Sequence, residues 1–357
     1  MGSILEYAGV RAKLAAMASK FLKDKDYETL MAKESVPEIT KFLQETAMYS
    51  SALKNVNAEE IHRRDLETIL KADLVEDVKR FFTFFVTLDR TFASYILRRY
   101  ELENLKLALR NALMESETKK KIEELKGKFY DIGNKALIDP IKVASSSSRE
   151  EILNNLEKTP YQEIIRNIFA SERPNVIGSI ENALDRWLFF GILKASVDLD
   201  YDDYMAVREM VGERADLINI EWIVRTKEFY ALRPEELYNS LIPMRFKLSV
   251  SDLHKLCDAR DTNELLNLIS GGTYKEILSD DVNTAGITSH LITRNIKRFL
   301  YRKAQKSVSV LGGFSIATFF HYSFLKEYEI MDITTITEGV RYSMNPDEIK
   351  GYLIRQI

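Results

Sequence analysis

The one cysteine of this 357-residue chain, Cys257, follows His254 by three residues. On a helix, residues three apart share a face, so the imidazole could serve as a base for a nucleophilic thiol. The alternative is that Cys257 is a small buried hydrophobic residue, because free cysteine is among the most buried residue types. We favour the second interpretation, since the surrounding segment Leu253–Cys257 reads as an ordinary amphipathic helix.

Other patterns for metal or cofactor chemistry are missing from the sequence. The four histidines are scattered and form no His-x-x-x-His pair, so no familiar zinc spacing occurs. Neither a phosphate-binding Gly-x-x-x-x-Gly-Lys-Ser/Thr loop nor a Gly-x-Gly-x-x-Gly fingerprint is present. The two glycine pairs, at 271–272 and 312–313, fit helix ends better than a phosphate loop. We therefore expect no metal site, and a histidine that acts as a base with a distant carboxylate is less favoured than four surface or boundary histidines.

Three acidic residues recur with a polar partner three residues later. The pairs are Glu101 and Asn104, Asp216 and Asn219, and Glu329 and Asp332. Spacing by three places both members on one helix face, so they could line a shared polar surface. They could instead form a buried polar cluster that holds long helices in register, which we favour because such pairs commonly give local support. Nine residues after each acid stand Arg110, Arg225 and Glu338, and the two arginines could be partners of the acids.

A second pattern recurs at the same interval. It reads Ser/Asp-x-x-Glu followed by an apolar helical stripe, with the glutamates at Glu38, Glu151 and Glu264, two steps of 113 residues. Ser35, Ser148 and Asp261 are good helix N-caps, and a glutamate three residues later predicts a capping box. A tyrosine follows each copy of this pattern, at Tyr49, Tyr161 and Tyr274. Two independent patterns that recur in step indicate a whole-domain repeat.

The composition supports a helical repeat protein. Glycine (14) and proline (7) are scarce, and 45% of residues are hydrophobic, which favours helices with ample core. A chain of this length exceeds one ordinary core. We predict an all-α fold of three similar domains, residues 1–125, 126–240 and 241–357.

Charge and hydropathy exclude several classes of function. The chain has 51 basic and 54 acidic residues, a net charge of −3, which argues against general binding of nucleic acid. A single cysteine excludes an internal disulfide and fits a reducing compartment. No signal peptide is evident at the start of the sequence. The most apolar stretch, 308–320, is shorter than the roughly 20 residues needed to cross a bilayer, so any membrane role would be peripheral.

Several segments together resemble a known family. They are Tyr7, Arg11 and Met17 at the start, Arg99-Tyr100-Glu101-x-Glu103-Asn104-Leu105-Lys106-x-x-x-Arg110, Asp216-x-x-Asn219-Ile220-x-x-x-x-Arg225, and Lys326-Glu327-x-Glu329-Ile330-x-Asp332-Ile333. In order and spacing the chain resembles the C subunit of the prokaryotic V/A-type ATPases and ATP synthases, the relative of the d subunit of eukaryotic V-ATPases. The resemblance spans essentially the whole chain. Local departures are Gly9-Val10, Asp332 in place of asparagine and Glu338 in place of arginine.

The resemblance implies an all-helical, funnel-like arrangement of the three domains around a pseudo-threefold axis. It also implies a non-catalytic component of a central stalk, with no catalytic residues and no cofactor. Such a component is a socket that links a shaft, made of the D and F subunits, to the proteolipid ring of the membrane rotor, at the cytoplasmic face of the cell membrane. It transmits torque between ATP turnover and H⁺ or Na⁺ transport, as a monomer in a hetero-oligomer. Residues considered for shaft contact or for contact between helices are Arg98, Arg99, Glu101, Asn104, Arg110, Asp216, Asn219, Arg225, Glu329 and Asp332. The alternative is a helical scaffold or an enzyme of an unrelated family.

Overall fold

The computed structural model describes residues 8–81, 87–114, 119–171, 176–229, 232–278, 288–309 and 315–357. These residues contain helices and no strand, which confirms the predicted all-α class. Tyr7 and the glycine pair at 312–313 lie outside the described residues. The other glycine pair does end a helix, since Gly271 is the C-cap of the helix Thr262–Ser270.

The described chain forms eighteen α-helices and two 3₁₀ helices, the latter at Gly133–Lys135 and Lys275–Leu278. The first nine are α1 Ala8–Ala18, α2 Asp24–Met31, α3 Val36–Glu45, α4 Ser50–Leu53, α5 Arg63–Phe81, α6 Thr87–Ala112, α7 Ile122–Lys126, α8 Pro140–Ser145 and α9 Arg149–Asn155. The others are α10 Pro160–Phe169, α11 Val176–Ser196, α12 Tyr201–Phe229, α13 Pro234–Ser240, α14 Val250–Asp258, α15 Thr262–Ser270, α16 Ser289–Ser309, α17 Ile316–Arg341 and α18 Pro346–Tyr352.

The helix order recurs along the chain. The helices that follow the three capping motifs, α3, α9 and α15, begin at residues 36, 149 and 262, two steps of 113. The helices α5 and α16 begin at 63 and 289, which are two steps of 113 apart. The long helices α12 and α17 begin at 201 and 316. The sequence repeat is therefore also a repeat of secondary structure. The three domain boundaries and their arrangement around an axis stay predictions.

Contacts divide the chain into two compact units. The first consists of Met1–Asp77, Tyr201–Asn239 and Met244–Ile357, and the second of Val78–Asp200 and Ser240–Pro243. In the second unit α6 packs against α8 and α11. Its core includes Phe92, Leu105, Val143 and Leu184, which are all completely buried. Each such side chain adds about 1.5–3 kcal/mol through removal of apolar surface from water.

The first unit is built on α17, which packs against α2, α3, α12 and α16. Most of this helix is enclosed, and Phe319, Ile333 and Ile336 are at most 1% exposed. A helix that is buried on several sides needs apolar residues around most of its circumference, and α17 supplies them. Its polar residues are the exceptions that need partners.

One such exception is a buried ionic cluster between α17 and α5. The ammonium group of Lys326, 1% exposed, lies 2.6 Å from the carboxylate of Asp73 and also contacts that of Asp77. The hydroxyl of Tyr322 donates to Asp77 at 3.0 Å. Removal of one partner from a buried ion pair leaves an uncompensated charge, which typically costs about 3–5 kcal/mol. The cluster therefore fixes the register of these two helices.

Candidate functional site

The three capping motifs begin helices, as predicted. Ser35, Ser148 and Asp261 accept hydrogen bonds from the backbone N–H groups three residues on, at 3.4, 3.1 and 2.9 Å. The reciprocal bond differs from a capping box. Each glutamate accepts an N–H from the residue four positions before it, not three, at 2.8–3.1 Å. The glutamate of each motif therefore binds the backbone of the residue before the N-cap, whereas in a capping box it binds the backbone of the N-cap residue itself.

The tyrosine after each motif donates its hydroxyl to one of the repeated acids. Tyr161 donates to Glu101 at 2.6 Å and Tyr274 donates to Asp216 at 2.9 Å. Tyr49 donates to Glu329 at 2.8 Å, across 280 residues of sequence. The two members of each pair therefore belong to different blocks, where a block is one copy of the sequence repeat with its capping motif, its tyrosine and its acid. Each acid binds the tyrosine of the next block, and the last acid binds the tyrosine of the first.

Backbone N–H groups complete the coordination of these acids. Asp216 accepts three, from Phe246, Lys247 and Leu248, at 3.2, 2.7 and 3.1 Å. Glu329 accepts one from Leu22 at 2.8 Å, and Glu101 accepts one from Leu137. These donors precede the capping motifs in sequence. Each acid therefore binds the backbone of the segment that leads into the capping motif of the next block. Charged acceptors make the strongest of these hydrogen bonds.

Two of the residues three positions after the acids, Asn104 and Asp332, bind the backbone of a segment later in the chain. The amide of Asn104 accepts from the backbone N–H of Tyr130 at 2.7 Å and donates to the carbonyl of the same residue at 2.8 Å. Asp332 instead accepts two backbone N–H groups, from Ile354 at 2.7 Å and from Arg355 at 2.9 Å. A carboxylate can accept on both oxygens, whereas an amide offers one acceptor and one donor. The sequence departure at Asp332 therefore follows from the two donors that face it.

Burial sets the protonation of these groups. Burial raises the pKa of Glu329 to about 7, although Tyr49, Leu22 and nearby cations oppose the rise. Burial likewise raises the pKa of Asp332 to about 7 against two backbone hydrogen bonds and the charge of Arg298. The pKa of Asp216 is raised by burial as well.

The structure places the predicted residues in two groups. The first group is at most 3% exposed and consists of Glu101, Asn104, Asp216, Asn219, Glu329 and Asp332. Buried side chains cannot form a contact surface for a shaft, so their position fits the alternative of a polar cluster that holds helices together. The arginines lie nearer the surface, with Arg99 half-buried over the ring of Tyr100 and Arg225 exposed.

The hypothesis that Arg110 is the partner of Glu101 is wrong. Arg110 on α6 pairs with Glu181 on α11 at 2.5 Å. Glu338, at the corresponding place on α17, pairs with Arg63 on α5 at 2.7 Å. Both positions thus carry an ion pair to a neighbouring helix, and the signs of the charges are exchanged. The cation beside Glu101 is Arg98, one helical turn before it, which also donates to the carbonyl of Lys135.

The sequence patterns missed two groups. The cluster of Lys326 with Asp73 and Asp77 had a local signal, since two aspartates four residues apart share a helix face. The contacts of Arg355 had no such signal. Its backbone N–H binds Asp332, and its guanidinium contacts the carbonyl of Leu22 and lies 2.7 Å from Asp24. None of these three partners can be found from local spacing.

The site proposed for nucleophilic chemistry does not have the required properties. Cys257 is fully buried, and burial raises the pKa of its thiol to about 11. A reactive thiol needs a lowered pKa and access to substrate. His254 is stacked on Tyr238, with ring centroids 3.9 Å apart. The buried-hydrophobe interpretation of Cys257 is therefore the better one.

Metal-binding clusters and bilayer-spanning helices are both missing from the described parts of the chain. No group of three or more His, Cys, Asp and Glu side chains there could hold a metal ion. Within the same residues, none of the helices has the length and hydropathy needed to cross a bilayer.

The described fold defines an all-helical repeat protein whose blocks are joined through buried pairs of acid and tyrosine. Residues 10–352 match the family described as ATP synthase (C/AC39) subunit. Because the match covers nearly the whole sequence, the chain belongs to this family. It is a family of accessory subunits of the ATP synthase complex and not of its catalytic subunits, and the alternative of an unrelated family is wrong.

Archaeal relatives agree with this assignment at low identity and full coverage. A protein of Methanosphaera stadtmanae is 24% identical over 98% of this chain and 88% of its own length. Proteins of Methanocaldococcus jannaschii and Methanosarcina mazei are each 21% identical over 98% of this chain, and over 86% and 92% of their own lengths. All three are named as the C subunit of an A-type ATP synthase.

Proposed function

We propose that this chain is the socket of the central stalk in a rotary A-type ATP synthase. It receives a shaft of the D and F subunits on one side and rests on the membrane rotor ring on the other, at the cytoplasmic face of the membrane. The observation that carries the proposal is that the tyrosine of each block donates a hydrogen bond to the buried acid of another block. Tyr49, Tyr161 and Tyr274 each tie one block to the long helix of another.

A torque-transmitting part must be stiff, and these ties favour stiffness. Glu101, Asp216 and Glu329 lie near the middle of helices of 26, 29 and 26 residues. A helix held at its middle bends less than one held only at its ends. The buried cluster of Lys326, Asp73 and Asp77 adds a further link between two helices of the first unit. Close-packed interiors transmit strain because their compressibility is low.

Partner capture tests the assembly part of the proposal. The tagged chain is expressed with the other subunits, and complexes are captured from detergent extracts. We expect the tagged chain to recover the D and F subunits together with the ring protein. Recovery of neither would overturn the proposal, and recovery of the shaft without the ring would overturn the socket role. The purified chain by itself should hydrolyse no ATP.

Coupling tests the torque part. Membranes that carry the synthase without this protein are compared with membranes to which the purified chain has been added back. Without the chain we expect ATP hydrolysis by the soluble sector but no ATP-driven ion uptake. Addition of the chain should restore uptake. Ion uptake at the full rate in its absence would contradict a role between shaft and ring.

A further inference from the structure

Two buried charges of opposite sign hold the same place in the sequence repeat. Lys326 on α17 and Glu213 on α12 each stand three residues before a repeated acid. Their side chains are 1% and 4% exposed. A buried charge is tolerated only beside a partner of opposite sign. The partners of these two residues therefore indicate which helix each long helix can accept.

Both partners lie on what we call the leading helices, α5, α11 and α16, which come before the long helix of each block. Lys326 pairs with Asp77 on α5, and its ammonium group also lies 2.6 Å from Asp73. Glu213 pairs with Lys303 on α16 at 2.7 Å. Asp77 and Lys303 are two steps of 113 residues apart. The same contact is therefore made twice, with the two charges exchanged.

The third leading helix offers neither charge at this place. One step of 113 residues after Asp77, α11 carries Phe190, which is 47% exposed. The three leading helices thus carry an aspartate, a phenylalanine and a lysine at the same place in the repeat. Of the three, α16 has the cation that Glu213 needs and α5 has the anion that Lys326 needs. One residue type therefore distinguishes each leading helix from the other two.

We propose that these exchanged charges select the partner of each long helix, so that α12 binds α16 and rejects α5. Selection is needed because the blocks are repeats, and because α5 precedes α12 in the chain whereas α16 follows it. The helix α5 placed on α12 would bring Asp73 and Asp77 to Glu213. Lys247, 3.0 Å from Glu213 on the segment that Asp216 binds, would then face three carboxylates.

Like charges brought together by the wrong partner are a general source of specificity between helices. The same exchange of signs allows α17 to bind α5 through Lys326 and Asp77. The selection is a property of the isolated chain and does not depend on the proposed place in the rotor.

The test gives both contacts the same polarity. The reference is the full-length variant Asp73→Asn, which keeps the pair of Lys326 with Asp77. The exchanged variant combines Asp73→Asn with Lys326→Glu and Asp77→Lys, so that a reversed pair can still form. Tyr322, which donates to Asp77 at 3.0 Å, can accept from a lysine there because a hydroxyl both donates and accepts. The leading helix α5 then carries the charge that α12 accepts.

Both variants are unfolded in denaturant, refolded by dilution and assayed by size-exclusion chromatography. We expect the exchanged variant to return at least about threefold less native monomer than the reference, because α12 no longer discriminates between α5 and α16. A zero-length carbodiimide cross-linker should join the lysine introduced at position 77 to Glu213 or to Glu209, which lies 3.4 Å from Lys303 in the native fold. Equal recovery of native monomer, or a cross-link from that lysine to position 326 alone, would overturn the proposal.

Two single variants decide the question if the exchanged variant does not fold. Glu213→Gln and Lys303→Gln delete the same ion pair, but only Glu213→Gln also deletes the charge that would repel Asp73 and Asp77. Each protein is refolded at a denaturant concentration the same distance below its own unfolding midpoint, which removes the difference in native stability. We expect Glu213→Gln to return about twofold less native monomer than Lys303→Gln. Equal recovery, or a lower recovery for Lys303→Gln, would contradict selection by charge.

Discussion

At the residue scale, the tyrosine hydroxyls test the ties between blocks. The variants Tyr49→Phe, Tyr161→Phe and Tyr274→Phe each leave a buried carboxylate without one donor. We expect each to lower the free energy of unfolding by about 1–3 kcal/mol, measured by chemical denaturation. Tyr342, 72% exposed, supplies the control variant Tyr342→Phe. Its effect should stay within about 0.5 kcal/mol. Equal effects for all four variants would contradict the assigned role.

Asp332 tests the match between an acid and its two donors. Asp332→Asn turns an N–H₂ group toward a backbone N–H of Ile354 or Arg355 and should cost about 1–3 kcal/mol of unfolding free energy. The opposite variant, Asn104→Asp, places a carboxylate against the carbonyl of Tyr130 and should also destabilise. The exposed Asp258 at the end of α14 provides the control Asp258→Asn. An Asp332→Asn protein as stable as the wild type would refute the explanation of this sequence departure.

The pH dependence of stability follows from the buried acids. Glu329 and Asp332 have pKa values near 7 in the folded chain, raised by burial above the usual carboxyl range. The folded state therefore binds protons that the unfolded state has released, over a window from about pH 4.5 to 7. Stability should rise as pH falls through this window. The groups that face them are Tyr27, Tyr49, Tyr301, Arg298, Lys326 and Arg355.

Unfolding free energies measured between about pH 8 and pH 5 check this sign. The exposed carboxylates of Glu151 and Glu264 have pKa values lowered by backbone hydrogen bonds from Ser147 and Arg260. Their stabilisation is lost only at more acid pH, below their unfolded pKa values. Glu329→Gln should flatten the slope across the window. A wild-type stability that increases from pH 5 to pH 8 would contradict the assignment.

At the scale of elements, a glycine allows close packing on α12. A Cβ atom at Gly212 would lie 2.7 Å from the Cβ atom of Phe246, on the segment whose N–H groups bind Asp216. Gly212→Ala should therefore lower stability by about 1–3 kcal/mol through overpacking. The matched control is Gly9→Ala on α1, where a Cβ meets nothing within 4 Å. Alanine there should be neutral or stabilising. Circular dichroism with chemical denaturation measures both variants.

Helix beginnings were predictable from sequence because their physics is local. Ser35, Ser148 and Asp261 are N-caps whose partners lie three residues away, within reach of pattern analysis. The recurrence of Tyr49 was visible as well, but its partner Glu329 was not, because that pairing depends on tertiary structure. The choice of Arg110 as partner of Glu101 failed for the same reason. Regular spacing along one helix does not identify which neighbouring helix supplies the opposite charge.

At the scale of the whole molecule, the ties differ in sequence separation. Tyr161 and Tyr274 lie 60 and 58 residues from their acids, whereas Tyr49 lies 280 residues from Glu329. Closing a longer loop of chain costs more conformational entropy, and this slows formation of the contact that closes it. In refolding followed by pulsed hydrogen exchange, we expect α9 and α15 to gain protection before α3. Simultaneous protection of all three helices would show that sequence separation does not set the order.

The bond between Tyr49 and Glu329 also has a consequence for biosynthesis. The ribosome makes α3 near the start and α17 near the end of the described chain, and the two pack together in the finished fold. The helix α3, whose Ile39 and Leu43 are completely buried in that fold, cannot make its contacts with α17 until most of the polypeptide has been translated. The helices that are synthesised first are thus completed last. During translation they expose an apolar stripe of the kind that chaperones bind and that promotes aggregation of nascent chains.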